Sequence, residues 1–583
     1  MIKIFIAKIA FLFVMISLQT KAQNLSNPFD FPMQLSGGFC ELRANHYHAG
    51  IDFRTNSSEG HAMHAVQQGY ISRISVSPWG YGLAVYITHP DDSLITVYGH
   101  MQEYILPIAE FVKKKQYEYE SYNVDLKFEP GILPVKQGDL IGYSGNSGNS
   151  GGPHLHFEVR DMLTNDYFDP LVFYKSFIPD TRKPLVRGLK IYPIEGKGMV
   201  NGSNKKRNIE FKLDKNENPV ISGTLEAWGE VGLAVRAVDR MNGTSFSYGI
   251  KDILQTVDDV ETYRSYTDRF SFDESKYINS YTDYEEWSEK RIFYIKTFVE
   301  PGNCTQFVAS RNSGIININE ERIYNVIITL TDIYGNACKV PIKIKGKKQE
   351  IAPPDTIGTN LMRWYDYNTF NAKGIQLSIP RNSLYSSVYM HYNSIGTIDT
   401  TIEKNSSATN KPSTKSEFYS SVHVLHKSPV PLHNPARLSI HLDSVTVPVN
   451  TEQFGIVRLS GTNGRMSWIG GTYRDEWIDA EINELGMYTV ACDTIPPVIR
   501  PVEREMWRGK KKISIHITDN LSGISTYRGE INGKYALFKY DGKNSLITYD
   551  FDDERLHPGY HRLKLTVTDR CGNISSYEHS FSW

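Results

Sequence analysis

The chain is poor in cysteine. Five thiols in 583 residues are too few for a disulfide-stapled scaffold, and only Cys304 and Cys338 are placed to pair within one module. Net charge is also missing: 64 Lys and Arg stand against 65 Asp and Glu, a formal charge of −1. That balance removes the general electrostatic attraction to nucleic acid or an anionic membrane. Beyond the first residues no apolar run is long enough to span a bilayer. No His-Glu-x-x-His sequence occurs, so a helix-borne zinc pair with a glutamate base is not indicated. The Gly-rich run from Gly142 to Gly152 lacks a Gly-Lys-Ser/Thr ending and leads toward β-favouring residues, which excludes a phosphate loop.

The one apolar stretch is N-terminal. Met1-Ile2-Lys3 is followed by an apolar run from Ile9 to Leu18 and by Thr20-Lys21-Ala22. A basic start, a short apolar core and a small residue at the cut form a signal-peptide pattern. Cleavage after Ala22 leaves Gln23 first, and no Cys follows to carry a lipid. The expected location is exported, in a periplasm, the cell envelope or the medium, with no transmembrane segment in the mature chain.

What the sequence does have is a constellation in its first third. His48 and Asp52 lie in His48-Ala49-Gly50-Ile51-Asp52, His100 in Tyr98-Gly99-His100, and His154 and His156 in Pro153-His154-Leu155-His156-Phe157-Glu158-Val159. The last segment alternates as a strand does, so both imidazoles face one side and Leu155 and Phe157 the other. Gly50 permits a bend that aims His48 and Asp52 at one ion. Imidazole nitrogen and carboxylate oxygen both suit zinc, and a site with three protein ligands keeps a position open for water. Such a site with two unliganded histidines beside it is the layout of a metallohydrolase. Glu158 shares the strand face of His156, either to orient it or as a structural carboxylate. His46, His61, His64 and His89 are expected off the metal, and Cys40 is expected to be a packed thiol rather than a ligand.

These segments resemble the M23 family of zinc metallopeptidases, the lysostaphin-like or LytM-type endopeptidases. The likeness rests on Asn45 to Asp52, on Gly60 to Gly69, on Tyr98-Gly99-His100-Met101, and on Val135 to Gly142 running on to Gly152-Pro153-His154-Leu155-His156-Phe157-Glu158. It covers roughly residues 35 to 175. The resemblance implies one Zn2+ per catalytic domain, held by His48, Asp52 and His156. It implies that His100 and His154 are the unliganded histidines that serve zinc-activated water. It implies hydrolysis of peptide bonds in peptidoglycan stem or cross-bridge peptides. Some family members have lost ligands and only activate other wall enzymes; this chain keeps every position of the pattern.

Past residue 178 short alternating runs separated by Gly, Asn and Asp turns indicate β structure. Two echoes place boundaries. Asp180-Thr181-Arg182-Lys183-Pro184 resembles Asp493-Thr494-Ile495-Pro496-Pro497, and Thr331-Asp332-Ile333-Tyr334-Gly335-Asn336 resembles Thr568-Asp569-Arg570-Cys571-Gly572-Asn573. The expected fold is mainly β: a signal peptide over 1–22, an antiparallel LytM-type catalytic domain over 23–178, and immunoglobulin-like β-sandwich modules. The modules cover 179–348 (with an insertion), 349–492 and 493–583. Tyrosines between Ser247 and Glu289 suggest either glycan or peptide contact or, more simply, packing of an insertion on its own module. A helix-like run from Ile105 to Tyr119 is a candidate groove wall. The expected partners are peptidoglycan peptides, with possible glycan or envelope-protein contact through the modules and no nucleic acid. Alternatives are an endopeptidase acting on a secreted protein, a non-catalytic wall-binding scaffold or activator, and an adhesin dominated by its modules.

Overall fold

Runs of alternating apolar and polar residues fold into strands almost throughout, as the period of two requires. The computed structural model describes residues 25–396, 418–443, 450–461, 464–551 and 555–583. The signal-peptide pattern and the polar patch from Ser406 to Ser416 lie outside the described residues.

The first sheet carries strands β1 (Leu35–Gly37), β2 (Ile51–Arg54), β3 (Gly69–Val76), β4 (Leu83–His89), β5 (Leu94–Met101), β6 (Val124–Lys127) and β7 (His154–Asp161). Their order is β1-β2-β7-β5-β4-β3-β6, antiparallel throughout. β7 therefore runs between β2 and β5. Leu155, Phe157 and Val159 point into the core, each fully buried. Phe157 packs edge-on or tilted against Phe53, Tyr98 and Tyr174. Burying an aromatic of this kind contributes about 2–3 kcal/mol. The other face of β7 is left to His154, His156, Glu158 and Arg160.

Helix α1 (Leu106–Glu118) follows β5, as its sequence predicts. Lys115 pairs with Glu118 on its exposed side, which is the behaviour of a solvated helix face.

The next strand, β8 (Tyr167–Phe168), joins the N-terminal region to the first module. Two long strands of that module, β9 (Leu185–Val200) and β10 (Leu225–Val238), pair antiparallel within a ten-stranded sheet. Strand β11 (Arg269–Phe270) leaves that module and pairs with β8 in the first sheet. The insertion thus packs across the boundary and not only on its own module. Tyr263 and Tyr281 are buried and Tyr266, Tyr277 and Tyr284 half-buried, so these tyrosines form no exposed aromatic platform. Lys251 reaches Asp169 at 2.9 Å in the same seam. One apolar core runs continuously from Leu25 to Ile344, while separate cores serve residues 362–490 and 507–567. Among the described residues the later modules carry two five-stranded sheets, two four-stranded sheets and a two-stranded one. All five cysteines are free thiols, so the suggested Cys304–Cys338 bridge is absent.

The last module folds back onto the N-terminal region. Arg528 pairs with Glu120 at 2.6 Å, and the Leu537 amide donates to the Tyr117 hydroxyl. The Lys543 ammonium donates to the carbonyls of Asn146 and Ser150. Trp79 lies flat enough on Gly542 that a Cβ there would come within 2.5 Å of the indole.

The chain bends at Gly50, and the residue is also required for space. Its φ is not positive, but a Cβ would sit 2.1 Å from the Phe157 carbonyl oxygen. Gly50→Ala must push β2 away from β7. We expect a loss of about 1–3 kcal/mol, as for other overpacked sites, together with weaker metal uptake. Urea denaturation checks the first effect, and an unchanged midpoint would contradict the account.

Candidate metal centre

Register brings the donors together. His156 on β7 stands opposite Asp52 on β2 and opposite Gly99 on β5. The residue after Gly99 is His100, whose φ of +60° lies in the left-handed region that non-glycine residues seldom occupy. That turn of the backbone swings its imidazole beside His154, with ring centroids 4.8 Å apart. His48 enters from the segment before β2.

Three donor atoms converge. His48 Nε2 is 3.0 Å from Asp52 Oδ1, His156 Nδ1 is 3.0 Å from the same oxygen, and His48 Nε2 is 3.0 Å from His156 Nδ1. All three residues are buried. A tetrahedral zinc with bonds of about 2.1 Å spaces its ligands by about 3.4 Å, so this triangle is close to a zinc face. His154 Nε2 lies 3.4 Å from Asp52 Oδ1, at the edge of the triangle. The structure therefore brings together all five residues singled out in the sequence, three as a donor set and two beside it.

The partners of each ring fix which nitrogen is free. His48 Nδ1 donates to the Gly38 carbonyl at 2.6 Å, which leaves Nε2 as a lone pair. His156 Nε2 donates to Glu158 at 2.8 Å, which leaves Nδ1. His100 Nδ1 donates to the Ser147 carbonyl at 2.8 Å and His154 Nδ1 to the Gly152 carbonyl at 2.8 Å. With Nδ1 donating, the neutral form of each flanking ring carries its lone pair on Nε2. Asp52 Oδ2 accepts from Arg43 at 2.9 Å, leaving Oδ1 for the metal.

Charge follows the same plan. Burial pushes His48 down to about 4. Burial, with His156 and His154 close by, pushes His100 down to about 3. Both are neutral at pH 7, as a ligand and a proton acceptor must be. Burial works against the Asp52 charge, but His48, His154 and His156 outweigh it and hold the carboxyl well below the usual range. Burial likewise disfavours a proton on His156, yet Asp52 and Glu158 overcome it and lift the group to about 9. A cation in the triangle competes with that proton, since metal uptake requires the neutral ring.

Glu158 is the orienting carboxylate. It is fully buried and also accepts from the Tyr81 hydroxyl at 2.6 Å and Arg160 Nε at 2.7 Å. Burial opposes its charge, but Arg160 and His156 hold it at about 2. The Tyr81 ring stacks on His156 at 5.2 Å. Tyr81, Arg160 and Arg43 were not singled out in the sequence. Arg160 continues the alternation 154, 156, 158, 160 and was legible from it. Tyr81 comes from a turn and Arg43 from the short strand Leu42–Arg43, and neither carried such a signal.

The remaining histidines engage elsewhere. His46 meets the Ala44 carbonyl, His61 the Ser58 hydroxyl, His64 the Gly138 carbonyl, and His89 the Gln68 carbonyl and Thr96 hydroxyl. Cys40 is a buried thiol that burial pushes up, and it is not part of the donor group.

The Gly-rich loop is packed, not slack. Ser147 Oγ donates to the Met101 carbonyl at 2.7 Å, and the Asn149 amide to the Gly80 carbonyl at 2.9 Å. A Cβ on Gly148 would strike the Gly82 backbone at 2.3 Å. Gly151 and Gly152 meet nothing within 4 Å and face open space.

Glu158→Gln removes the charge that holds His156 and should weaken metal affinity by about 10–100-fold. Competition against a chromophoric chelator measures this, with His46→Ala as the control that leaves affinity unchanged. Equal affinities for the two variants would remove Glu158 from the site.

Comparison with known proteins agrees with this geometry. The model of Peptidase family M23 matches residues 131–170, and that of a Zu5-like domain matches residues 359–493. Lysostaphin of Staphylococcus simulans is 26% identical over 148 residues, which are 25% of this chain and 23% of that protein. Glycyl-glycine endopeptidase ALE-1 of Staphylococcus capitis is 26% identical over 148 residues, 25% of this chain and 32% of that protein. The chain spans about a quarter of the length of the lysostaphins it matches. Among solved structures, the catalytic domain of lysostaphin from Staphylococcus simulans shares 23% identity and covers 24% of this chain and 92% of its own, with a TM-score of 0.19. The M23 match takes in His154 and His156 but not His48 or Asp52, and the N-terminal part of this chain is similar to peptidase family M23.

Proposed function

We propose that the chain is an exported zinc metalloendopeptidase that hydrolyses peptide bonds in peptidoglycan stem or cross-bridge peptides. The observation that carries the reading is the triangle of His48 Nε2, Asp52 Oδ1 and His156 Nδ1, with 3.0 Å sides and two further neutral-side nitrogens next to it. His48, Asp52 and His156 would hold the zinc. When bound, zinc acidifies a coordinated water and polarises the scissile carbonyl.

The chain's own residues supply the proton handling. His100 and His154 each commit Nδ1 to a backbone carbonyl, so each Nε2 can accept a proton. The ring that accepts it becomes a cation, stabilises the oxyanion of the tetrahedral intermediate and can return the proton to the leaving amine. The backbone carbonyls of Ser147 and Gly152 keep both rings in this tautomer without a second carboxylate. Burial of His100 keeps it neutral until it accepts.

The substrate class is supported by the relatives, one of which is named a glycyl-glycine endopeptidase. Export is supported by the N-terminal pattern of residues 1–22; no helix of the described residues is long and apolar enough to cross a membrane. The later modules would contribute glycan or envelope-protein contact, and the last one braces the loop before His154 through Lys543.

Digestion of purified peptidoglycan by the mature chain, with products read by mass spectrometry, tests the reading. New peptide ends should appear with zinc and vanish with chelator or in His156→Ala, where the rate should fall at least 100-fold, as is usual when one essential member of a catalytic set is removed. No release from folded, zinc-loaded protein across walls of differing cross-bridge would overturn the peptidase reading in favour of a wall-binding scaffold.

A further inference from the structure

The two sequence echoes that bound the modules take no part in the proposed peptidase site. In the structure they build the same object twice. Asp180, Asp239 and Asp332 each offer a carboxylate oxygen within 4.8 Å of the others, and so do Asp493, Asp519 and Asp569.

The first triad is deeply buried: Asp180 is 7%, Asp239 4% and Asp332 4% exposed. Asp180 Oδ1 accepts from the Arg182 and Asn242 amides at 3.2 and 2.9 Å. Asp332 accepts from the Tyr334 and Asn336 amides at 2.9 and 2.8 Å. Asp180 Oδ2 and Asp239 Oδ1 are buried and have no hydrogen-bond partner. Among the described residues no ion pair includes any of the three. The nearby cations are engaged elsewhere: Arg240 with Glu217, Arg182 with the Met241 and Thr244 carbonyls, and Lys183 with Asn218. Burial, together with the facing Asp332 and Asp180, pushes the Asp239 carboxyl up to about 8. The Arg240 guanidinium acts on Asp239 and Asp180 only through space, and three carboxylates without an ion-pair contact are expensive to bury.

The second triad repeats the plan. Asn573 Nδ2 bridges Asp569 Oδ2 and the Asp493 carbonyl, both at 2.8 Å. Asn336 Nδ2 bridges Asp332 Oδ2 and the Asp180 carbonyl at 2.7 and 3.4 Å. Asp519 Oδ1 and the Ser522 hydroxyl are buried without partners. In both triads one aspartate comes from the segment that enters a module. The other two come from strand ends inside it: Asp239 follows β10, and Asp332 follows the strand Ile323–Thr331. Asp519 follows the strand Lys512–Thr518, and Asp569 ends the strand Tyr560–Asp569.

We propose that each triad is a binding site for a hard divalent cation of the calcium class, which ties the entering segment to its module. All-oxygen donors with no imidazole or thiolate select such an ion over zinc. The cation neutralises the buried carboxylates and takes up the oxygens that lack partners. Its place at the module entrance stiffens the joint between the peptidase domain and the first module, and the joint before the last.

Calorimetric titration of calcium chloride into the chelator-washed full chain tests this, with magnesium chloride in parallel. Two calcium ions per chain are expected, with dissociation constants on the order of 10⁻⁴ M and a rise in melting temperature. Asp239→Asn should remove one ion and Asp519→Asn the other. Native mass spectrometry of the unsubstituted chain counts the ions even where a variant folds poorly. No binding up to about 10 mM calcium, with Asp239→Asn raising the melting temperature, would mean that the carboxylates share a proton instead and would overturn the proposal. Calcium binding that survives both substitutions would overturn it as well.

Discussion

The pairing of β7 between β2 and β5 is the constraint on which the rest depends. One register sets His156 beside Asp52 on one side and beside Gly99 on the other. A slip of one residue would turn His154, His156 and Glu158 into the core and Phe157 out of it. The apolar residues that enforce the register, Leu155, Phe157 and Val159, therefore position the metal donors although none of them reaches the site. Glycines maintain the spacing: a Cβ on Gly37 would fall 2.4 Å from Asp52 Oδ2, and one on Gly50 would strike β7.

On that frame the polar groups form a closed set. Arg43 takes one oxygen of Asp52, Arg160 and Tyr81 take the oxygens of Glu158, and backbone carbonyls take one nitrogen each of His48, His100 and His154. Only the atoms aimed at the triangle and at the space beside it remain open. Such a cluster is costly to bury unless each member is satisfied, and here the satisfied atoms determine which atoms are left for chemistry. The positive φ of His100 is a local strain of the kind that collects at functional sites.

Much of this was legible in the sequence. The alternation through His154, His156 and Glu158 reads directly as one strand face, and the His-x-x-x-Asp spacing places both groups at one end of β2. The chain bends at Gly50 as the sequence leads one to expect, and the residue is needed as well for close approach to Phe157. Cys40 is the packed thiol expected, and it occupies a φ of +58°, a backbone state that favours glycine. What could not be read is what depends on loops and long-range contact. Arg43 reaches the site from a two-residue strand and Tyr81 from a turn, neither long enough to show a period, and β11 crosses into the N-terminal sheet from more than a hundred positions along the chain. The tyrosine-rich insertion, expected to pack on its own module, also packs across the seam, because some of its apolar partners lie in the N-terminal region. The aspartates of the two echoes were noticed as boundary marks, and their convergence appears only in three dimensions.

The central claim is that His48, Asp52 and His156 alone hold the metal while His100 and His154 stand free. A crystal structure of the zinc-loaded chain, with data collected on both sides of the zinc absorption edge, tests it most directly. The account predicts one anomalous peak bonded to His48 Nε2, Asp52 Oδ1 and His156 Nδ1 at about 2.0–2.2 Å, with a water or buffer atom in the remaining position. A peak bonded to His100, His154 or the Cys40 sulfur, or no peak within the triangle, would contradict it.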